Sequence, residues 1–292
     1  MQQRVAVELG GIQKTLLLPL WGRAVESQKK HPVLVDATAV AVLQSVDFDF
    51  STIASNMNPI TQLAWIARSL HIDRTVMRFL RSHPRATIVN IGCGLDTTFE
   101  RVDNGSLRWI DLDLPDVIEL RRRFLPDTER RRNMAGSFLD EAWLADLPRE
   151  DALMVVAAGV LYYFEEAQIR SFLTRLAGIC PRIELIFDAA SPVGVRVANK
   201  KVIEAGGMDG ESVLMWGIED PHTMQEWDSR ITVVESYPMF RGVKWRLGLK
   251  HLIGMAMSDI LKIMSMVHLT VGAPAESGRG RKRNVLEKEG LE

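Results

Sequence analysis

The sequence predicts an α/β fold built on an open, doubly wound parallel sheet. Three observations predict it. From Arg85 onward, apolar β-branched runs alternate with amphipathic helical stretches, the pattern of parallel strands joined by right-handed crossovers. The first run, Thr87 to Ile91, ends in a Gly-x-Gly turn at Gly92 and Gly94. An acidic cluster, Asp111-Leu112-Asp113, follows about 20 residues later, the spacing of a nucleotide-type site on such a sheet.

Each element can be justified in order. Residues from Gly10 to about Asp73 read as mostly helical, and Gln62 to Ser69 carry apolar residues at helical spacing. Asn58-Pro59 is a natural helix start. Thr75 to Arg81 continues a helix that stops before Pro84. Thr87–Ile91 is the first strand and Leu107–Leu112 the second. Leu153–Ala158 is almost purely apolar, as a central parallel strand should be. Glu165–Gly178 reads as a helix with Ile169, Phe172, Leu173 and Leu176 on one face. Arg182–Asp188 is a further strand. Ile231–Tyr237 and Ile263–Val271 are two late strands around a helix near Leu249–Lys262.

Before those late strands, Ser191 to Asp228 reads as a helical insertion, interrupted at Gly206-Gly207 and carrying Trp216 and Trp227. Insertions after the carboxyl ends of strands cover the ligand crevice. Residues 191–228 are therefore expected to form a lid on a core of residues 85–272, with residues 1–84 as a helical cap. From residue 273 the chain turns polar and basic around Gly278 to Arg283. A solvated tail explains that stretch; a nucleic-acid arm has no support elsewhere.

Composition excludes several classes. With 47% hydrophobic and 25% charged residues among 292, the chain has the balance of a soluble globular protein. A net charge of −1 calls for neither a nucleic-acid nor an acidic-membrane partner. The only cysteines, Cys93 and Cys180, fit a reducing cytoplasm without a disulfide. Leu16 to Leu18 is too short for a signal peptide, and Asp259 and Lys262 interrupt the apolar stretch Leu252–Val271. The six histidines show no metal-ligand spacing, so no metal is expected.

The glycine turn narrows the ligand. Gly92 and Gly94 have no Cβ, so the backbone can turn sharply and approach a ligand closely. A dinucleotide fingerprint needs a third glycine where this chain has Thr97. A smaller adenosine ligand such as S-adenosylmethionine fits better. A carboxylate at the end of the second strand can accept bonds from ribose hydroxyls. Asp111 and Asp113 share one face by alternation, and either can instead cap a helix. Cys93, between the glycines, reads as packing and not as a nucleophile.

The words VNIGCGLDTTFERVD, WIDLDLPDVIELRR and AAGVLYYFEE resemble the leucine carboxyl methyltransferase family, and within it the polyketide O-methyltransferase branch of tetracenomycin type. The resemblance runs from about Lys14 to about Gly272. It implies a Rossmann-like class I methyltransferase sheet, closed by an antiparallel pair, with S-adenosylmethionine as cofactor. It places the turn residues Gly92, Cys93, Gly94, Asp96 and Thr97 at the cofactor, with Asp113 on the ribose and Asp111 assisting. Asp96 can also cap the next helix. Lys14 and Arg68 are implied for the methionine carboxylate, though Lys14 also reads as a solvated lysine. Ser137 and Phe138 are implied beside adenine. Many members carry an acid after the fourth strand where this chain has Ala158, followed by Gly159; whatever that acid does is absent here or moved. Tyr163 matches a substrate-facing tyrosine, with Tyr162 and Trp65 expected near it. Core packing is the alternative for Tyr163.

The acceptor decides whether a base is needed. A carboxylate, reference pKa near 4, is already a nucleophile at neutral pH, whereas a phenol, near 10, usually needs a base. No histidine sits in a motif at a strand end. The expected reaction is therefore O-methylation of a small aromatic or polyketide-like acid to its methyl ester. The alternatives are phenolic O-methylation, in which His222 or His31 would serve as base, and cofactor binding without turnover.

Overall fold

The computed structural model describes residues 5–6, 16–51, 57–148, 152–179, 182–204, 213–243 and 248–272. Its main sheet has seven strands: β1 Thr87–Ile91, β2 Arg108–Asp113, β3 Arg131–Ala135, β4 Leu153–Ala157, β5 Ile183–Ala190, β6 Ile231–Pro238 and β7 Met264–Val271. Their order is β3-β2-β1-β4-β5-β7-β6. The first five run parallel, and β7 runs antiparallel to both β5 and β6. The expected closing antiparallel pair is there, with its boundaries shifted by a residue or so.

Every residue of β1 and β4 is buried, because helices cover both faces of a parallel sheet. One face packs Val89, Ile91, Val155 and Leu185 against Phe172 and Leu176. The other packs Ile88, Trp109, Met154 and Ile186 against Val76 and Phe79. Leaving β1, the chain builds outward to β3, then returns to lay β4 on the other side of β1. In open α/β sheets ligands bind at such a reversal, here the carboxyl ends of β1 and β4.

The described helices before the sheet include α1 Leu17–Ser27, α2 Ala37–Ser45 and α3 Pro59–Ser82. The Asn58 side chain accepts the Ile60 N–H, and Pro59 opens α3 where an N–H is not needed. The helix ends at Ser82, two residues short of Pro84. Asp36 caps α2 by accepting the Ala39 N–H. The later described helices are α4 Thr98–Val102, α5 Pro115–Phe124, α6 Ala142–Ala145, α7 Glu166–Leu176, α8 Pro192–Glu204 and α9 Leu249–Ile260.

The insertion after β5 is only partly helical. Following α8, residues 213–220 have no helical structure, and a 3-10 turn covers Pro221–Glu226. The physical reason is that this segment is strapped to strand ends. The N–H groups of Met215 and Trp216 donate to the Tyr162 carbonyl, and the Ile218 N–H donates to the Ala190 carbonyl. A Cβ on Gly217 would stand 3.0 Å from the backbone of Ser191 and Pro192. Gly206-Gly207, Cys180 and the polar stretch from residue 273 lie outside the described residues. No described helix is long and apolar enough to cross a membrane.

Candidate cofactor and acceptor site

The carboxyl end of β1 turns through Gly92 and Gly94, both left-handed at φ +58° and +49°. L side chains avoid that region. A Cβ on Gly92 would stand 2.5 Å from Cγ2 of Val160, and one on Gly94 2.9 Å from Cδ2 of Leu16. The glycines thus serve the fold as well as any ligand. Between them Cys93 is buried with a free thiol, which burial pushes up and keeps protonated. The packing role expected for it agrees.

The two acids of β2 have different surroundings. Asp113 Oδ2 accepts the Gly94 N–H at 2.7 Å, and Oδ1 accepts the Leu114 N–H at 2.8 Å. Acid and turn are locked together at the crevice edge, where Asp113 keeps partial exposure. Burial raises its carboxyl above the usual range. Asp111 is fully buried. Its oxygens take Arg121 Nη2 at 2.6 Å, Trp109 Nε1 at 2.8 Å and Asn90 Nδ2 at 3.1 Å. The expectation that both acids face a ligand is therefore corrected. Strand alternation gives them one face, but a helix on that face covers only the earlier one.

Asp96 and Thr97 face the cap. Asp96 Oδ2 accepts the Thr98 N–H at 3.1 Å, the local helix-start role expected of it. Burial alone would raise its carboxyl; the nearby Arg23 and Arg101 guanidiniums outweigh that and hold it at about 2. Thr97 is fully buried, and its hydroxyl donates to Asp36 Oδ2 at 2.6 Å. The same Asp36 oxygen receives Arg23 Nε at 3.0 Å and Arg101 Nη1 at 2.7 Å. Arg101 also forks onto Asp73 of α3 at 2.8 and 2.9 Å. The position that lacks a third glycine thus anchors α2 and α3 to the turn.

Ser137 and Phe138 follow β3. Ser137 Oγ accepts the Leu139 N–H, so it shapes the turn. Phe138 is buried between Phe164 and Phe172, with ring centroids 4.7 and 5.1 Å away. Its ring belongs to the core, a correction to the expected edge against adenine.

Beyond β4 the chain bends at Gly159, φ +75°, where a Cβ would stand 2.5 Å from Arg68 Nη1. Arg68 reaches this point from α3, buried, 3.0 Å from Asp188 Oδ2 and 3.3 Å from the Tyr162 hydroxyl. Burial opposes its charge, but Asp188 outweighs burial and holds the guanidinium firmly protonated. Asp188 Oδ1 accepts the Gly159 N–H at 2.6 Å. Sequence reading missed Asp188 as a site residue. Its signal was an acid at the carboxyl end of a strand, the same signal that marked Asp113.

Tyr162 and Tyr163 stack edge to face at 4.9 Å, and burial raises both phenols, so both stay protonated at neutral pH. Tyr163 is the more exposed of the two. Ala158 packs against the second core face with no polar side-chain atom to offer. Trp65, one turn before Arg68, leans on α1: its Cε3 stands 3.2 Å from where Gly22 would carry a Cβ. Lys14 lies outside the described residues.

No described histidine joins these groups. His71 Nε2 bonds the Met239 carbonyl at 2.8 Å, and His268 Nε2 pairs with Glu184 at 3.0 Å. His83 stacks on Phe79, while His31 and His222 are exposed at the surface. Among the described residues no cluster could hold a metal ion.

Comparison with known proteins follows the same lines. The profile of the leucine carboxyl methyltransferase family matches residues 17–177, more than half of the chain. The tetracenomycin polyketide synthesis O-methyltransferase TcmP of Streptomyces glaucescens is 36% identical over 221 residues, 75% of this chain and 80% of that protein. The S-adenosyl-L-methionine-dependent methyltransferase dpfgK of Gibberella zeae is 26% identical over 272 residues, 83% of this chain and 89% of that one. A solved DUF574 family protein from Streptomyces avermitilis shares the fold, with a TM-score of 0.55 at 15% identity, covering 86% of this chain and 97% of its own. The chain belongs to the leucine carboxyl methyltransferase family and is an S-adenosylmethionine-dependent O-methyltransferase.

Proposed function

We propose that this enzyme methylates the carboxylate of a small aromatic or polyketide-like acid, releasing a methyl ester. The supporting observation is the set of ionisable groups at the crevice. Arg68 is held as a cation, Tyr162 and Tyr163 as neutral phenols, and both Asp188 oxygens are engaged. A guanidinium and two phenols held in these states do not accept a proton at neutral pH. A carboxylate acceptor needs no proton-accepting group, because it is ionised well below pH 7. A phenol would need one.

The residues fit the cofactor. Three left-handed glycines keep side chains off the carboxyl ends of β1 and β4, and Asp113 sits where a ribose would be read. We assign the ribose hydroxyls to Asp113 and the close backbone approach to Gly92 and Gly94. Arg68 takes the amino-acid carboxylate, since a guanidinium suits that group; Lys14 remains a second cation for it. Asp111, Thr97 and Phe138 act as supports, not ligands. When bound, S-adenosylmethionine supplies an electrophilic methyl group on a positively charged sulfur. Tyr163 faces the acceptor, and its hydroxyl can donate to a carboxylate oxygen. Residues 1–84 serve as cap and residues 191–228 as lid, excluding water while the acceptor is positioned. A reducing cytoplasm suits the free thiol of Cys93.

The test is a methyl-transfer assay on matched aromatic acids and phenols, read by mass spectrometry. Methyl esters from the acids are expected. Methyl ethers alone would overturn the carboxylate reading.

A further inference from the structure

Asp188 is a fully buried carboxylate on which two distant chain segments converge. Arg68 arrives from α3, 120 residues away in sequence, and the Gly159 N–H arrives from the end of β4. Tyr162 closes the group through Arg68. We propose that Asp188 is a positioning residue for recognition of the cofactor's amino-acid end: it fixes the Arg68 guanidinium and the Gly159 bend at the crevice. The proposal rests on the reading of Arg68 as the ligand of that end.

Three features carry it. First, the side chain of Ala158 offers no polar group at the end of β4, and the carboxylate that holds the Gly159 amide comes from the neighbouring strand. Second, the bonds from Arg68 to Asp188 and Tyr162 both leave from Nη1. A guanidinium has five N–H donors, so its other edge can take a second anion bidentately without giving up the first. Third, an arginine carries much rotamer freedom, and holding it beforehand removes an ordering cost from binding. A buried ion pair contributes little net stability for its desolvation, so a role in placing Arg68 accounts for the pair better than stability does.

The proposal is tested by calorimetric binding of two ligands to the full chain. S-adenosylhomocysteine carries the amino-acid end; 5′-methylthioadenosine shares the adenosine thioether and lacks that end. Asp188→Asn should weaken S-adenosylhomocysteine at least tenfold and change methylthioadenosine less than about threefold. A double variant, R68Q/D188N, removes both charges together and protects against an unfolded single variant. It should discriminate between the ligands no more than R68Q alone, since Asp188 acts only through Arg68. Equal loss of both ligands in D188N, or no loss of either, would overturn the positioning role. Asp113→Ala separates the two readings, because it should weaken both ligands alike. Were the unaltered chain to bind neither ligand, the site assignment itself would fall, and the proposal with it.

Discussion

Arg121 Nη2 lies 2.6 Å from Asp111 Oδ2, with both side chains sealed from solvent. The same arginine donates to the Gly94 and Asp96 carbonyls at 2.9 and 2.7 Å. One guanidinium therefore ties the end of β2 to the turn after β1. This pair turns two acids of one strand into a strut and a candidate ligand.

Asp111→Ala and Asp113→Ala should then separate cleanly. Removing Asp111 leaves Arg121 buried without its counter-charge, an expected loss of about 3–5 kcal/mol in chemical denaturation. Removing Asp113 should cost less stability and weaken S-adenosylhomocysteine about tenfold or more, a charge-assisted bond being worth about 1.5–3 kcal/mol. Calorimetry showing Asp111→Ala folded and the weaker binder would reverse these roles.

Gly92→Ala is expected to destabilise the protein before any ligand is added. Its Cβ meets Val160 at 2.5 Å and its φ is +58°, a strain of about 1–3 kcal/mol. Adding Val160→Ala should restore only part of the melting temperature, because the second variant makes room without relieving the dihedral. Full recovery would mean that φ contributes nothing.

Asp96 sets an acid limit on stability. Its carboxyl stands at about 2 in the fold against 3.8 as reference. A depressed carboxylate pKa stabilises the fold above the reference value, and that contribution is lost as pH falls through the folded one. The native protein should therefore lose roughly 2 kcal/mol relative to Asp96→Asn between pH 4 and pH 2. Denaturation curves that stay parallel across this window would refute the assignment.

Replacing each histidine in turn should leave the catalytic rate within about tenfold, since removing a general base usually costs 10²–10⁴-fold. The rate should also stay nearly flat from pH 6 to pH 8, because a carboxylate acceptor is ionised throughout. Abolished turnover in one histidine variant that still binds cofactor, with a rate rising steeply through pH 7, would favour a phenol acceptor.

The sequence by itself determined six of the seven strands; β3, Arg131–Ala135, was not legible, because RRNMA has no apolar run and its pairing to β2 is a tertiary contact. The apolar runs at Thr87 and Leu153 read as strands buried on both faces and are so, and the Asn58-Pro59 start and Pro84 stop bounded α3. It also located the glycine turn and the acid on β2, because backbone geometry and strand spacing are local properties. Which of those residues is covered and which stays open follows from tertiary packing alone. Asp111 and Asp113 look alike in sequence, yet Arg121 covers one of them. Thr97 belongs to the cap's ionic network through Asp36, and Phe138 to the core. Asp188 finds Arg68 across 120 residues. Long-range pairing of charges follows from how helices land on the sheet, and no local pattern of residue types encodes it.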